Sequence, residues 1–128
     1  MQDEELTGAI IHCAIEVHKT LGPGFAESVY KNALTHELTK AGLNVEIEKS
    51  ITVHYDGVVV GNFAADMIVE GKVLIELKAN QSLSVANEVQ TVNYLTATGI
   101  EIGLLVNFGA ELLQVKRKSR TFRPKGQQ

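Results

Sequence analysis

From Glu5 to Thr20 the apolar residues Leu6, Ile10, Cys13, Ala14 and Val17, followed by Leu21, recur at the i, i+3, i+4, i+7 spacing of one helix face. The run Leu21-Gly22-Pro23-Gly24 breaks that helix, and a second is predicted from about Phe25 to Ala41, where Gly42 stops it. Between Asn44 and Leu77 the period falls to two. β-Branched residues fill Val45-Glu46-Ile47, Ile51-Thr52-Val53-His54-Tyr55, Val58-Val59-Val60, Phe63 to Val69 and Val73 to Leu77, which predicts strands, with hairpin turns at Asp56-Gly57 and Glu70-Gly71. A third helix is predicted for Val85 to Thr98, ended by Gly99. A strand from Ile102 to Phe108 and a last one from Leu112 to Lys116 follow. The expected order is ααββββαββ, an α/β domain with two helices beside a central mixed β-sheet.

Length and composition narrow this further. At 128 residues, with 45% apolar and 21% charged side chains, the chain has the size and make-up of one soluble globular domain. The single cysteine, Cys13, sits on the apolar stripe of the first helix and reads as a packed thiol in a reducing compartment. The acidic start MQDEEL has no basic or apolar targeting pattern, and Gly, Asn or Asp interrupts every apolar stretch short of a spanning length. No membrane contact is expected, and the expected location is cytoplasmic.

The net charge of −3 hides an asymmetry. Residues 1–115 hold 15 acids and 6 Lys or Arg, a balance of −9, whereas residues 116–128 hold 6 basic residues and no acid. An acidic body argues against indiscriminate nucleic-acid binding, while the basic end is a candidate contact for DNA or RNA. We expect a single domain over 1–118 and a basic, flexible tail over 119–128.

Three constellations could carry chemistry. The first is Asp66 with Glu76-Leu77-Lys78 on adjacent strands. Glu76 lies within the apolar run Val73 to Leu77, where an unpaired carboxylate is costly unless a cation or hydrogen bonds satisfy it. The alternative is an outward face of Lys72, Leu74, Glu76 and Lys78 on an amphipathic strand. Register discriminates between them. A two-residue Glu70-Gly71 loop pairs Val69 with Lys72 and sends the two acids to opposite faces; a three-residue loop pairs Val69 with Val73 and sets Asp66 opposite Glu76. A shared metal requires the second.

The second constellation is Gly24-Phe25-Ala26-Glu27-Ser28-Val29-Tyr30. At 100° per residue Glu27 falls within about 60° of the stripe of Tyr30, Leu34, Leu38 and Ala41. An acid near a helix N-terminus also opposes the macrodipole, and Lys31 is an i+4 partner. Glu37 falls in the same stripe. In the third, Gln90 and Tyr94 stack at i, i+4 on the third helix with Ala86 and Ala97, against the plain alternative of a solvated Gln.

Taken in order, Val17-His18-Lys19-x-Leu21-Gly22-Pro23, Gly24-x-x-Glu27-x-x-Tyr30, Asp66, Glu76-Leu77-Lys78, Gln90-x-x-Asn93-Tyr94-Leu95 and Gly103-Leu104-Leu105-Val106-Asn107-Phe108-Gly109 resemble the GxxExxY family of small prokaryotic proteins. That family is placed in the PD-(D/E)XK nuclease superfamily. The resemblance spans about residues 5–118 and implies a restriction-endonuclease-like core. It implies Asp66 and Glu76 as metal ligands, Lys78 as the motif lysine, Glu27 as an additional helix acid, and Gln90 with Tyr94 as the QxxxY pattern of the exonuclease branch. One position departs: relatives commonly have Arg two residues before the motif Asp, and here it is Ala64.

The chemistry expected is phosphodiester hydrolysis dependent on Mg²⁺ or Mn²⁺, with carboxylates holding the ion and Lys78 positioning or deprotonating water or offsetting developing charge. His12, His18, His36 and His54 have no metal-ligand spacing, so oxygen donors and a hard cation are expected. The alternative is a non-catalytic module on the same fold that binds protein or nucleic acid, favoured by the acidic body and by Ala64.

Overall fold

A computed structural model describes residues 3–120. Two helices, α1 (Glu4–Leu21) and α2 (Glu27–Lys40), precede three strands, β1 (Val45–Tyr55), β2 (Val58–Val69) and β3 (Val73–Lys78). Helix α3 (Val85–Thr98) and the strands β4 (Ile102–Asn107) and β5 (Gln114–Ser119) complete the chain. The sheet order is β1-β2-β3-β4-β5; β3 and β4 run parallel and every other neighbouring pair antiparallel. This is the mixed sheet flanked by helices that the pattern predicts.

The helices agree closely with the periodicity, and α3 begins and ends at the expected residues because both ends are chemically marked. Ser84 and Asn87 exchange side-chain-to-backbone bonds in a capping box, and Gly99 closes the helix at φ +77°, a left-handed conformation open to glycine at little cost.

One difference is in strand number. Three strands, not four, lie between α2 and α3. Val45–Ile47 and Ile51–Tyr55 are one strand that runs through Glu48, which takes φ +50° instead of opening a loop. In β2, Gly61 and Asn62 stay in the ladder opposite Val53 and Thr52. The last strand also begins and ends later than Leu112–Lys116, at Gln114–Ser119.

The core lies mainly between α1, α2 and one face of the sheet. Ile10, Cys13, Ala14 and Val17 from α1 and Tyr30, Leu34 and Leu38 from α2 pack on Met67, Val69, Val73, Ile75, Leu77, Leu104, Val106 and Phe108. The second cluster is smaller, with Leu95 of α3 on Ala65, Ile68 and Leu74. Each fully buried aliphatic side chain contributes about 1.5–3 kcal/mol. Gly103 makes the approach of α3 possible, since a Cβ there would stand 3.1–3.3 Å from the side chains of Leu95 and Thr91. Among the described residues no helix is long and apolar enough to cross a membrane.

Candidate functional site

The β2–β3 hairpin turns through Glu70-Gly71-Lys72 and pairs Val69 with Val73, the register that a shared carboxylate site requires. Glu70 holds φ +55° there, and two bonds anchor it. Its amide donates to the Asn44 carbonyl at 2.8 Å, and its carboxylate accepts from the Asn44 amide at 2.7 Å.

The ladder continues through Ile68 with Leu74 to Met67 with Ile75. One step further, where Asp66 faces Glu76, side chains take over from backbone carbonyls. The Asp66 amide donates to Glu76 Oε1 at 3.2 Å, and the Leu77 amide donates to Asp66 Oδ2 at 2.8 Å. Each strand thus offers an amide to the other strand's carboxylate.

Glu76 is buried, 5% exposed, between the apolar residues Val73 to Ile75 and Leu77 of β3. Burial first, and the neighbouring Asp66 charge second, push its carboxyl up to about 8, against the opposing pull of the Asp66 amide and Lys78. Glu27, exposed at the start of α2, is raised by partial desolvation and then by Asp66, and lowered by Lys78 and Lys31. The structure therefore brings Glu27, Asp66, Glu76 and Lys78 into one electrostatic neighbourhood. Among the described residues no three His, Cys, Asp or Glu side chains already stand as a ligand cage.

Tyr94 reaches the same neighbourhood from α3. Its hydroxyl is raised by burial, then by Glu76 and Asp66, and its ring stacks on Phe63 with centroids 3.8 Å apart. Gln90 is half-buried one turn earlier and makes no hydrogen bond to these groups. Ala64, exposed and paired with Ser50, leaves a methyl group where an arginine would bring charge.

The Gly24-x-x-Glu27-x-x-Tyr30 segment divides its labour. Gly24 turns the chain at φ +114° ahead of α2. Tyr30 is fully buried, stacked on Phe108 at 4.8 Å, and its hydroxyl donates to the Gly22 carbonyl and accepts from the Phe25 amide at 3.1 Å. This clamp fixes the loop that delivers Glu27. Tyr30→Phe keeps the stack and removes both bonds, so it is expected to cost about 1–2 kcal/mol in urea unfolding. A cost below a few tenths of a kcal/mol would show that the hydroxyl does not anchor the loop.

Several residues here escape sequence reasoning. Lys31 forms its ion pair with Glu48 of β1 and acts on Glu27 only through its charge. Asn107, fully buried at the end of β4, accepts from the amides of Asn80 and Gly109 and donates to the Asn80 carbonyl and Gln114 Oε1. It ties together the ends of β3, β4 and β5, next to Lys78. A lone Asn closing an apolar strand is the signal that could have found it.

The basic end divides. Lys118 pairs with Glu88, Arg120 with Glu101, and Arg117 donates to Thr7 Oγ1 at 2.9 Å, so three of its cations serve the fold, while residues 121–128 lie outside the described residues.

The comparisons accord with this architecture. No curated protein matches the chain. Among solved structures, the crystal structure of SSO0001 superposes with a TM-score of 0.61 at 20% identity, covering 75% of this chain and 50% of that one. The chain thus spans about half the length of that protein, and the likeness at this identity is one of fold. A family model described as PD-(D/E)XK nuclease superfamily matches residues 4–120, a stretch that includes both hairpin carboxylates, Lys78 and all three helices. The chain belongs to the PD-(D/E)XK nuclease superfamily.

Proposed function

We propose that this protein is a divalent-metal-dependent phosphodiester hydrolase acting on nucleic acid, with Asp66 and Glu76 as metal ligands and Lys78, Glu27, Gln90 and Tyr94 around the reacting phosphate. Superfamily members generally use divalent metal ions. The observation that carries the reading is the buried Glu76 beside Asp66: two carboxylates, one of them driven to about 8, form a pair that a cation would relieve. The donors are all oxygen, which suits Mg²⁺ or Mn²⁺. The ion would supply positive charge to the phosphate and lower the pKa of water.

The chain's own groups do the rest. Lys78 emerges half-buried at the end of β3, where its ammonium can orient the attacking water and offset charge on the phosphate oxygens. Glu27, partly desolvated and facing Asp66, is placed to take a proton or to hold an ordered water. Tyr94 and Gln90 line the α3 side and position substrate. We further infer membership of the GxxExxY group, supported by Gly24 at the turn before α2, Glu27 at its start and the buried Tyr30, and a single-domain organisation over 1–118. The basic segment beyond Arg120 is its candidate contact for phosphates.

Ala64 favours a second reading, a non-catalytic module that binds nucleic acid or protein through the same surface. A cleavage screen with Mg²⁺ and Mn²⁺ over single-stranded, duplex and flap DNA and RNA separates the two, with calorimetry of Mn²⁺ alongside. In Lys78→Ala we expect Mn²⁺ affinity unchanged or higher, since a competing cation is gone, and turnover lower by about 10²-fold or more. No cleavage by the wild type, with Mn²⁺ binding indifferent to Asp66 and Glu76, would establish the module instead.

A further inference from the structure

A cavity of about 440 Å³ opens between the β1–β2 hairpin and α3, with Thr52, His54, Phe63, Asn93, Tyr94 and Thr96 in its wall. That volume falls in the ~300–1,000 Å³ range of small-molecule sites. One wall is the stacked pair Phe63 and Tyr94, their planes 12° apart. Among the described residues no Lys or Arg lines the cavity. A phosphate would find no counter-charge there, whereas a flat neutral ring with hydrogen-bonding edges fits both the aromatic wall and the polar rim.

The rim has capacity for such edges. The Asn93 side chain, with one acceptor and two N–H donors, makes no hydrogen bond within the described protein. The hydroxyls of Thr52 and Thr96 donate to Asn62 Oδ1 and the Val92 carbonyl, which leaves their lone pairs to accept. Tyr94 joins this cavity to the carboxylates, since its hydroxyl feels the charges of Glu76 and Asp66 while its ring forms the wall.

We propose that this cavity receives one unpaired nucleobase of a single-stranded nucleic acid, stacked on the outer face of the Phe63–Tyr94 pair and contacted at its edge by Asn93, with the adjoining phosphate at Asp66 and Glu76. The assignment rests on the nucleic-acid reading above and narrows it to a substrate class. A base inside an intact duplex has both faces stacked and its edge paired, and would have to be extruded to enter. Single strands present bases at no such cost, and base–aromatic stacking tolerates any sequence.

The test is fluorescence anisotropy with the full chain and Ca²⁺ in place of Mg²⁺, using labelled oligothymidylate, an abasic strand of equal length and a blunt duplex, followed by cleavage of the same probes with Mg²⁺. We expect oligothymidylate to bind about tenfold tighter than the other two. Asn93→Ala, at an exposed position, is expected to lower that preference at least about threefold and to leave abasic affinity unchanged. Equal affinity for all three probes, or an equal loss for all three in Asn93→Ala, overturns the assignment, even if cleavage persists and the hydrolase reading stands. Base-dependent binding without cleavage of any probe supports the cavity and removes only the hydrolysis. Binding of no probe overturns the assignment and leaves the hydrolase reading to be decided on the RNA and flap substrates.

Discussion

Glu76→Gln is expected to abolish metal-dependent cleavage, by at least about 10²-fold, and to make the metal-free protein more stable in mild alkali. Glutamine keeps an oxygen to accept the Asp66 amide and loses the charge that would hold a cation. The direction with pH follows from the raised carboxyl, about 8 when folded against about 4.3 in an unfolded chain. The folded state holds a proton that the unfolded state releases. That stabilisation is full below about pH 4, declines as pH rises and is gone above pH 8. Wild type without metal should lose on the order of 2–4 kcal/mol across this window, and Glu76→Gln should lose much less. Saturating Mg²⁺ should restore wild type and leave the variant unmoved. Urea unfolding at pH 5 and pH 8.5 would read this, and parallel pH dependences in the two proteins would contradict the buried-carboxylate account.

Gly109→Ala should have the largest effect on the fold. A Cβ there would stand 2.3 Å from the Asn80 carbonyl oxygen and 2.4 Å from the Ala79 carbonyl carbon, both backbone atoms with no rotamer to yield. The segment that must move follows Lys78 and is fastened by the Asn107 side chain, so the strain falls on an already satisfied buried network. We expect a loss of about 3 kcal/mol or more, and roughly 10 °C or more in thermal midpoint. Cleavage should fall with it, because the Lys78 ammonium is displaced. Gly61→Ala, where nothing lies within 4 Å and the backbone is not left-handed, is the control expected to change stability by less than about 1 kcal/mol. Equal effects at the two glycines would show the close approach at Gly109 to be unimportant.

What could be read in advance depended on whether the signal was local. Helix α3 was legible at both ends because its caps are short-range chemistry, and the Asp66 and Glu76 register reduced to one loop length. Continuity of β1 through Glu48 was not, since its left-handed conformation is held among strand and ion-pair partners distant in sequence, Lys31 among them. The pairing of β3 with β4 leaves no periodic mark either, and so Asn107 and Gly109 could be placed in a family-like segment without their contacts to Asn80 being visible. The stack of Phe63 on Tyr94 joins residues from a strand and a helix whose spacing says nothing of contact. The motif segment around Glu27 was visible, but the division between a structural Tyr30 and an electrostatically engaged Glu27 needed the buried hydroxyl and its two partners.

The one parallel pair in the sheet sets an order of assembly. Asp66 and Glu76 are separated by 10 residues and meet by closing a hairpin, whereas Asn80 and Asn107 are 27 apart and meet only after α3 has carried the chain back. Short loops close before long ones. On loop length alone, the two acids are expected to become neighbours while their hairpin is still solvated and their repulsion screened. If β4 joins β3 after the hairpin has formed, protonation or a divalent cation is expected to speed refolding, and stopped-flow refolding at pH 5 and pH 8.5, with and without Mg²⁺, would read it.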